Sequence, residues 1–168
     1  GKEFVQHEEI AKALKYYFCT KNALLMQNQL CNHGRKTLVQ IMKKIKILVV
    51  IDSSGALSSA AIENNVYMID SNRWLGSWQE GTCQLQTVAE DGQLISWCAT
   101  GISSDSQVTI TAFSGDMVSQ SVCVPQPSGD EAWEGRVETN GGSGRYFYQI
   151  SINVNGQPFS FSPYLDVE

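Results

Sequence analysis

The chain has 168 residues, 42% of them hydrophobic and 17% charged, with a net charge of −5, which is enough for one domain with a proper core and too little for two. Residues 1–41 carry six basic against three acidic side chains (+3), whereas residues 42–168 carry six against fourteen (−8). After Lys46 the only cations are Arg73, Arg136 and Arg145, so the larger part repels phosphate backbones and anionic lipid, which argues against nucleic acid and membrane as partners.

In chain order, Ile10, Leu14, Tyr17 and Phe18 recur at i, i+4, i+7 and i+8, the stripe of an amphipathic helix. A second apolar cluster, Ala23, Leu24, Leu25 and Leu30, extends helix toward a stop at Asn32-His33-Gly34. Residues 1–41 therefore read as a helical N-terminal extension, and Met42 as a natural start. Beyond it the basic opening, apolar run and small residues of 42–61 imitate an export signal. The apolar part, Ile47 to Ile51, is too short for one and is stopped by Asp52, so a buried first strand is the better reading.

Short strand candidates follow: KIKILVVI (44–51), NVYMID (65–70), CQLQTV (83–88), QLISWCAT (93–100), QVTITAF (107–113) and SQSVCV (119–124). GRVET (135–139), GRYFYQISINV (144–154) and QPFSFSPYLDV (157–167) complete the set. Turn residues separate them, Asn155-Gly156 being the strongest signal, because a two-residue hairpin loop wants positive φ at both positions. About nine strands at roughly ten-residue spacing, with no helical period between them, predict an all-β fold over residues 42–168: an antiparallel β-sandwich, Ig-like or jelly-roll-like.

KILVVIDSSGALSS (46–59), NNVYMID (64–70), LGSWQEGT (75–82) and DGQLISW (91–97), with GRVET and FSFSP (159–163), follow one another in an order that resembles the bacterial PixA/AidA inclusion body protein family. The resemblance spans about three quarters of the chain and implies a small cytoplasmic β protein. Some relatives accumulate as intracellular crystalline inclusions and others are induced by quorum sensing. The resemblance carries no catalytic residues over, and residues 1–41 have no counterpart in it.

The chemistry-bearing residues argue the same way. Both histidines, His7 and His33, precede residue 42, so the β part lacks the commonest general base and metal ligand. Five cysteines (Cys19, Cys31, Cys83, Cys98 and Cys123) are odd in number and show no CxxC spacing, which predicts reduced thiols in a cytoplasmic protein. A glycosidase-like carboxylate pair could be drawn from Asp52, Asp70, Glu80, Asp91 and Glu134, but fourteen carboxylates in this part make an apparent pair nearly inevitable. Asp52 and Asp70 read as turn residues accepting backbone N–H groups. Joined by Asp105 or Asp116 they would be calcium ligands, yet no segment has the spacing of a calcium loop. The expectation is no enzyme, no metal and no cofactor.

The remaining signal is NRWLGSWQEGT (72–82), with Trp74 and Trp78 four apart. Strand alternation around Trp97 puts Ile95 and Trp97 on one face, and an indole there is a core plug. Trp78, between Gly76 and Gly81, is expected to pack at the sandwich edge, leaving Trp74 as the exposed contact ring. The candidate ligand or interface set is Trp74, Arg73, Asn72, Trp78 and Glu80. The function expected is self-association of a non-enzymatic β-sandwich into dimers or inclusions. The alternative is a glycan or small-metabolite binding module using Trp74 and its polar neighbours.

Overall fold

In a computed structural model of the chain, two compact units divide at 41/42, and residues 44–72, 77–129 and 131–168 are described. The expected helical extension, with its Ile10–Phe18 stripe, lies outside the described residues.

Among these residues the fold is β-rich, as expected. Eleven strands run in order: β1 (Ile45–Ile51), β2 (Val66–Asp70), β3 (Gln86–Ala89), β4 (Leu94–Gly101), β5 (Val108–Ser114) and β6 (Gln126–Ser128), then β7 (Ala132–Arg136), β8 (Gly144–Phe147), β9 (Gln149–Val154), β10 (Gln157–Phe161) and β11 (Tyr164–Val167). They form a five-stranded sheet, β2-β1-β4-β7-β6, and two three-stranded sheets, β10-β9-β5 and β3-β11-β8. One apolar cluster draws Ile47 and Val49 from the first sheet, Ile150 and Ile152 from the second, and Leu165 and Val167 from the third.

The pairing corrects the expectation of an antiparallel architecture. β1 runs parallel to β4, with Ile47 opposite Trp97, and β11 runs parallel to β3, with Tyr164 opposite Gln86. Parallel neighbours need crossover connections, and the sequence carries no local mark of which distant strand will arrive. β1 is buried on both faces, which is why its sequence is a continuous apolar run without alternation. A helix also stands where none was expected. Asp52 caps α1 (Ser53–Ser59), its carboxylate accepting the Gly55 N–H at 3.0 Å. The segment SQSVCV is no strand: α2 (Asp116–Ser119) reaches into it, and only Cys123 makes a β-bridge, to Val137.

The core expectation for Trp97 holds. Its side chain is 0% exposed, tilted against Phe113 with ring centroids 5.1 Å apart and edge-on to Tyr148 at 6.1 Å. Its indole N–H donates to the buried Tyr148 hydroxyl at 3.2 Å. The Asn155-Gly156 turn also forms as read, with φ of 49° and 88°, closing the β9–β10 hairpin.

Candidate functional site

Residues 77–82 form a strap across two sheet edges. Trp78 pairs antiparallel with Gln86 of β3, exchanging N–H···O bonds of 3.0 and 2.9 Å. Three residues on, the Gly81 N–H donates to the Met68 carbonyl of β2 at 2.7 Å, and Thr82 bridges Met68. Gly81 turns the strap at φ +83°, a conformation available to glycine without a Cβ clash.

The outward side of the β3-β11-β8 sheet continues from this strap. Register places Gln86 beside Tyr164 and Tyr164 beside Phe147. Trp78, Gln86, Tyr164 and Phe147 thus form one row across the strap and three strands, about 5 Å per step. The next row holds Asp166 opposite Arg145. The inner-face residues of β11, Leu165 and Val167, are buried in the core instead, which is the period-two logic of a half-buried strand.

The two ends of the row are open: Trp78 is 66% exposed and Phe147 41%. Between them Arg145 is held in place. Its guanidinium makes two bonds to the Asp166 carboxylate, 2.7 and 2.8 Å, and a third to the Gln86 side-chain oxygen at 3.2 Å. It also lies over the Tyr164 ring, 5.9 Å from the centroid. The hydrogen bonds to Asp166, and then its charge, push the Arg145 pKa up, so the cation is fixed at any working pH. An arginine locked between tyrosine and carboxylate loses little further freedom when a partner docks.

Of the five residues singled out in sequence, Arg73 and Trp74 lie outside the described residues. Trp78 is the exposed ring, which corrects the expectation that it packs as a structural plug: backbone pairing fixes the strap by its main chain and turns the indole outward. Asn72 is half-buried. It donates its backbone N–H to Asp70 and its side-chain amide to the Val88 carbonyl, a tie between β2 and β3. Glu80 is half-buried in the turn of the strap. Sequence reading missed Gln86, Arg145, Phe147, Tyr164 and Asp166. The signal was alternation in GRYF and YLDV, which sets Arg145 with Phe147 and Tyr164 with Asp166, but nothing local said which face would be outermost.

The carboxylates considered for catalysis are spread through structural roles. Asp52 caps α1 and Asp70 is buried at the end of β2, both accepting backbone N–H groups as read. Asp91 accepts from Thr139 and Gly141 at 2.7 and 2.8 Å, and Glu134 pairs with Lys44. Among the described residues no group of three or more His, Cys, Asp or Glu could hold a metal ion. A separate open groove of about 420 Å³ lies over Ile62, Glu63, Thr111, Ser151 and Phe159.

Comparison with known proteins places this architecture. The chain matches the crystal structure of the inclusion body protein PixA from Burkholderia cenocepacia J2315 at 16% identity and a TM-score of 0.54, covering 79% of this chain and 98% of that one. The two share a fold, as the order of sequence motifs implied. No curated protein matches the chain. The profile of a domain of unknown function, DUF8788, matches residues 43–160, and the chain belongs to that family.

Proposed function

We propose that this protein is a non-enzymatic, cytoplasmic β-sandwich that associates with copies of itself through the outward side of the β3-β11-β8 sheet. The observation that carries the reading is the row ending in the exposed Trp78 and Phe147, with Tyr164 and a locked Arg145 between them. Trp, Tyr and Arg are the residues that dominate protein–protein contacts, because they bury much area at little entropy cost. The shared fold with a protein named for inclusion bodies points to the same use.

The sheet edges favour contact through side chains over strand addition. Pro127 interrupts edge strand β6 and Pro158 edge strand β10. The strap covers β2 and β3. On β5 the Trp133 indole N–H takes the Ile110 carbonyl at 3.3 Å. At β8 a Cβ on Gly115 would stand 3.0 Å from the Phe147 carbonyl oxygen, so that edge is crowded too.

Light scattering across a dilution series tests the reading. The wild type should show concentration-dependent mass above the monomer, and Trp78→Ala with Phe147→Ser should shift it to monomer while leaving the circular dichroism unchanged. A wild type that stays monomeric at every concentration refutes it. A glycan or small metabolite on the same face is the alternative, and a glycan that quenches Trp78 fluorescence without changing mass would favour it.

A further inference from the structure

Two Asn-Gly pairs stand in turns of the same left-handed kind: Asn140-Gly141, with φ of 54° and 80°, and Asn155-Gly156, with φ of 49° and 88°. The pair has a chemistry of its own, because glycine has no Cβ to shield its backbone nitrogen. That nitrogen can attack the preceding carboxamide and close a five-membered imide. A left-handed Asn turns its Cβ away from the following nitrogen, so the ring closes only after the turn opens. What each turn loses on opening therefore decides which Asn reacts.

Asn155 is held at both its backbone and its side chain. Its N–H donates to the Gln107 carbonyl at 2.9 Å, and its side-chain oxygen accepts the Gln107 N–H at 2.8 Å. The Gly156 N–H donates to the Asn153 side-chain oxygen at 2.7 Å, and Val154 pairs with Gln157 across the β9–β10 ladder. Opening this turn unzips the end of a hairpin.

Asn140 has a looser setting. It is exposed, and its carboxamide has no hydrogen-bond partner among the described residues. The Gly142 N–H closes its turn on the Thr139 carbonyl at 3.1 Å. The loop joins β7 of the five-stranded sheet to β8 of the β3-β11-β8 sheet, so the strands on its two sides do not pair with each other. A Cβ built on Gly141 meets nothing within 4 Å, which leaves room for the imide. The remaining restraint is Asp91, whose carboxylate accepts the Thr139 N–H at 2.7 Å and the Gly141 N–H at 2.8 Å. The second of these bonds is on the attacking nitrogen itself.

We propose that Asn140 is a site of spontaneous covalent modification, deamidation through a succinimide to aspartate and isoaspartate, and that the Asp91 clamp sets its rate. The Gly141 nitrogen passes its proton to hydroxide and bonds to Asn140 Cγ. The Cγ–Nδ2 bond breaks, and the nitrogen leaves as ammonia after taking a proton from water. Water then opens the imide, either at Cγ, giving isomeric aspartate linkages according to which bond to nitrogen breaks, or at the backbone carbonyl carbon. Attack at the backbone carbonyl leaves isoaspartate, whose main chain is longer by one methylene. Overall one water enters and one ammonia leaves, and no electrons change hands.

Asp91 opposes this reaction in two ways. Its bonds to Thr139 and Gly141 keep the turn closed, and its negative charge disfavours the nitrogen anion that must form. The same two N–H groups hold the Asp91 pKa below its ordinary value, so the clamp is charged wherever hydroxide promotes the reaction. Either product puts a carboxylate between Thr139 and Gly141, the residues that hold Asp91. Two like charges there weaken the clamp, and the loop leading into β8 loosens once Asn140 has reacted.

Ageing the full chain at mildly alkaline pH tests this. Cleavage after Arg136 and Arg145 puts Asn140 and Asn155 on separate peptides. Mass spectrometry follows the exchange of NH2 for OH on each, and carboxyl methylation by an isoaspartyl methyltransferase marks the isoaspartate. In urea the two Asn should convert at similar rates. In the native protein Asn140 should outpace Asn155 by about tenfold or more, the effect of one or two hydrogen bonds on the opening equilibrium. Asp91→Ala should speed Asn140 by about tenfold and leave Asn155 unmoved. Should that variant fail to fold, Asp91→Asn keeps one acceptor oxygen in place of two and should give a smaller rise. A native protein in which Asn155 keeps pace with Asn140, or in which Asn140 stays intact while the urea-unfolded chain converts, overturns the site. An Asn140 rate indifferent to substitution of Asp91 overturns the clamp.

Discussion

Trp97→Ala is the substitution that most directly tests the core. Trp97 sits in β4, flanked by β1 on one side and β7 on the other, and is 0% exposed. Truncating a fully buried Trp forfeits about 3–5 kcal/mol in transfer and cavity terms. The indole N–H also donates to the Tyr148 hydroxyl, so its loss removes a partner from a buried oxygen, at about 1–3 kcal/mol. The sum belongs at the upper end, about 5 kcal/mol, comparable to the whole stability of many domains of this size. Urea unfolding followed by circular dichroism reads it as a large fall in midpoint. Trp97→Phe separates the two contributions, since it keeps most of the volume and loses the donor; adding Tyr148→Phe should recover part of its loss. A loss below about 2 kcal/mol for Trp97→Ala, or no recovery in the double variant, refutes the reasoning.

Three further outcomes are expected. Burial pushes the Cys123 thiol up to about 12, so it should resist alkylation at neutral pH in the native protein and react only on unfolding, as mass spectrometry of labelled peptides would reveal. Backbone N–H groups of Thr139 and Gly141 hold the Asp91 carboxyl below its ordinary pKa; the stability it contributes is present above the unfolded value and lost as pH falls through the folded one, so Asp91→Asn should shallow the acid limb of a stability–pH curve. Residues 42–168 expressed alone should retain a β-type circular dichroism spectrum, because every strand pairing described lies within Ile45–Val167; an unfolded spectrum would show that residues 1–41 complete the core.

Local chemistry made much of the fold legible. Alternation at Ile95 and Trp97, the apolar run of β1 and the Asn155-Gly156 turn each express a rule that acts within a few residues, and each reads correctly. Failures came where distance decides. Asp52-Ser53-Ser54-Gly55 looked like a turn, although it caps a helix, because capping and turn formation use the same side-chain oxygen. GRYFYQISINV looked like one strand, yet Tyr148 leaves the line and turns into the core between β8 and β9. The outward row was hidden for the same reason: Trp78, Tyr164 and Phe147 share it only through strand pairings between residues far apart in sequence. Trp78 is exposed where the sequence suggested packing, and Trp74 lies outside the described residues.

The order of the β3-β11-β8 sheet has a consequence for biosynthesis. Its middle strand, Tyr164–Val167, is the last of the eleven to be made. Until β11 has been made, β3 and β8 have no partner to join them, and the row from Trp78 to Phe147 does not exist. Leu165 and Val167, which belong to the common core, are absent as well. The aromatic face therefore becomes available only on chains whose synthesis has passed β11. Closure of a nonlocal parallel pair is also slow to nucleate, so a lag between the synthesis of β11 and the appearance of that surface is built into the topology.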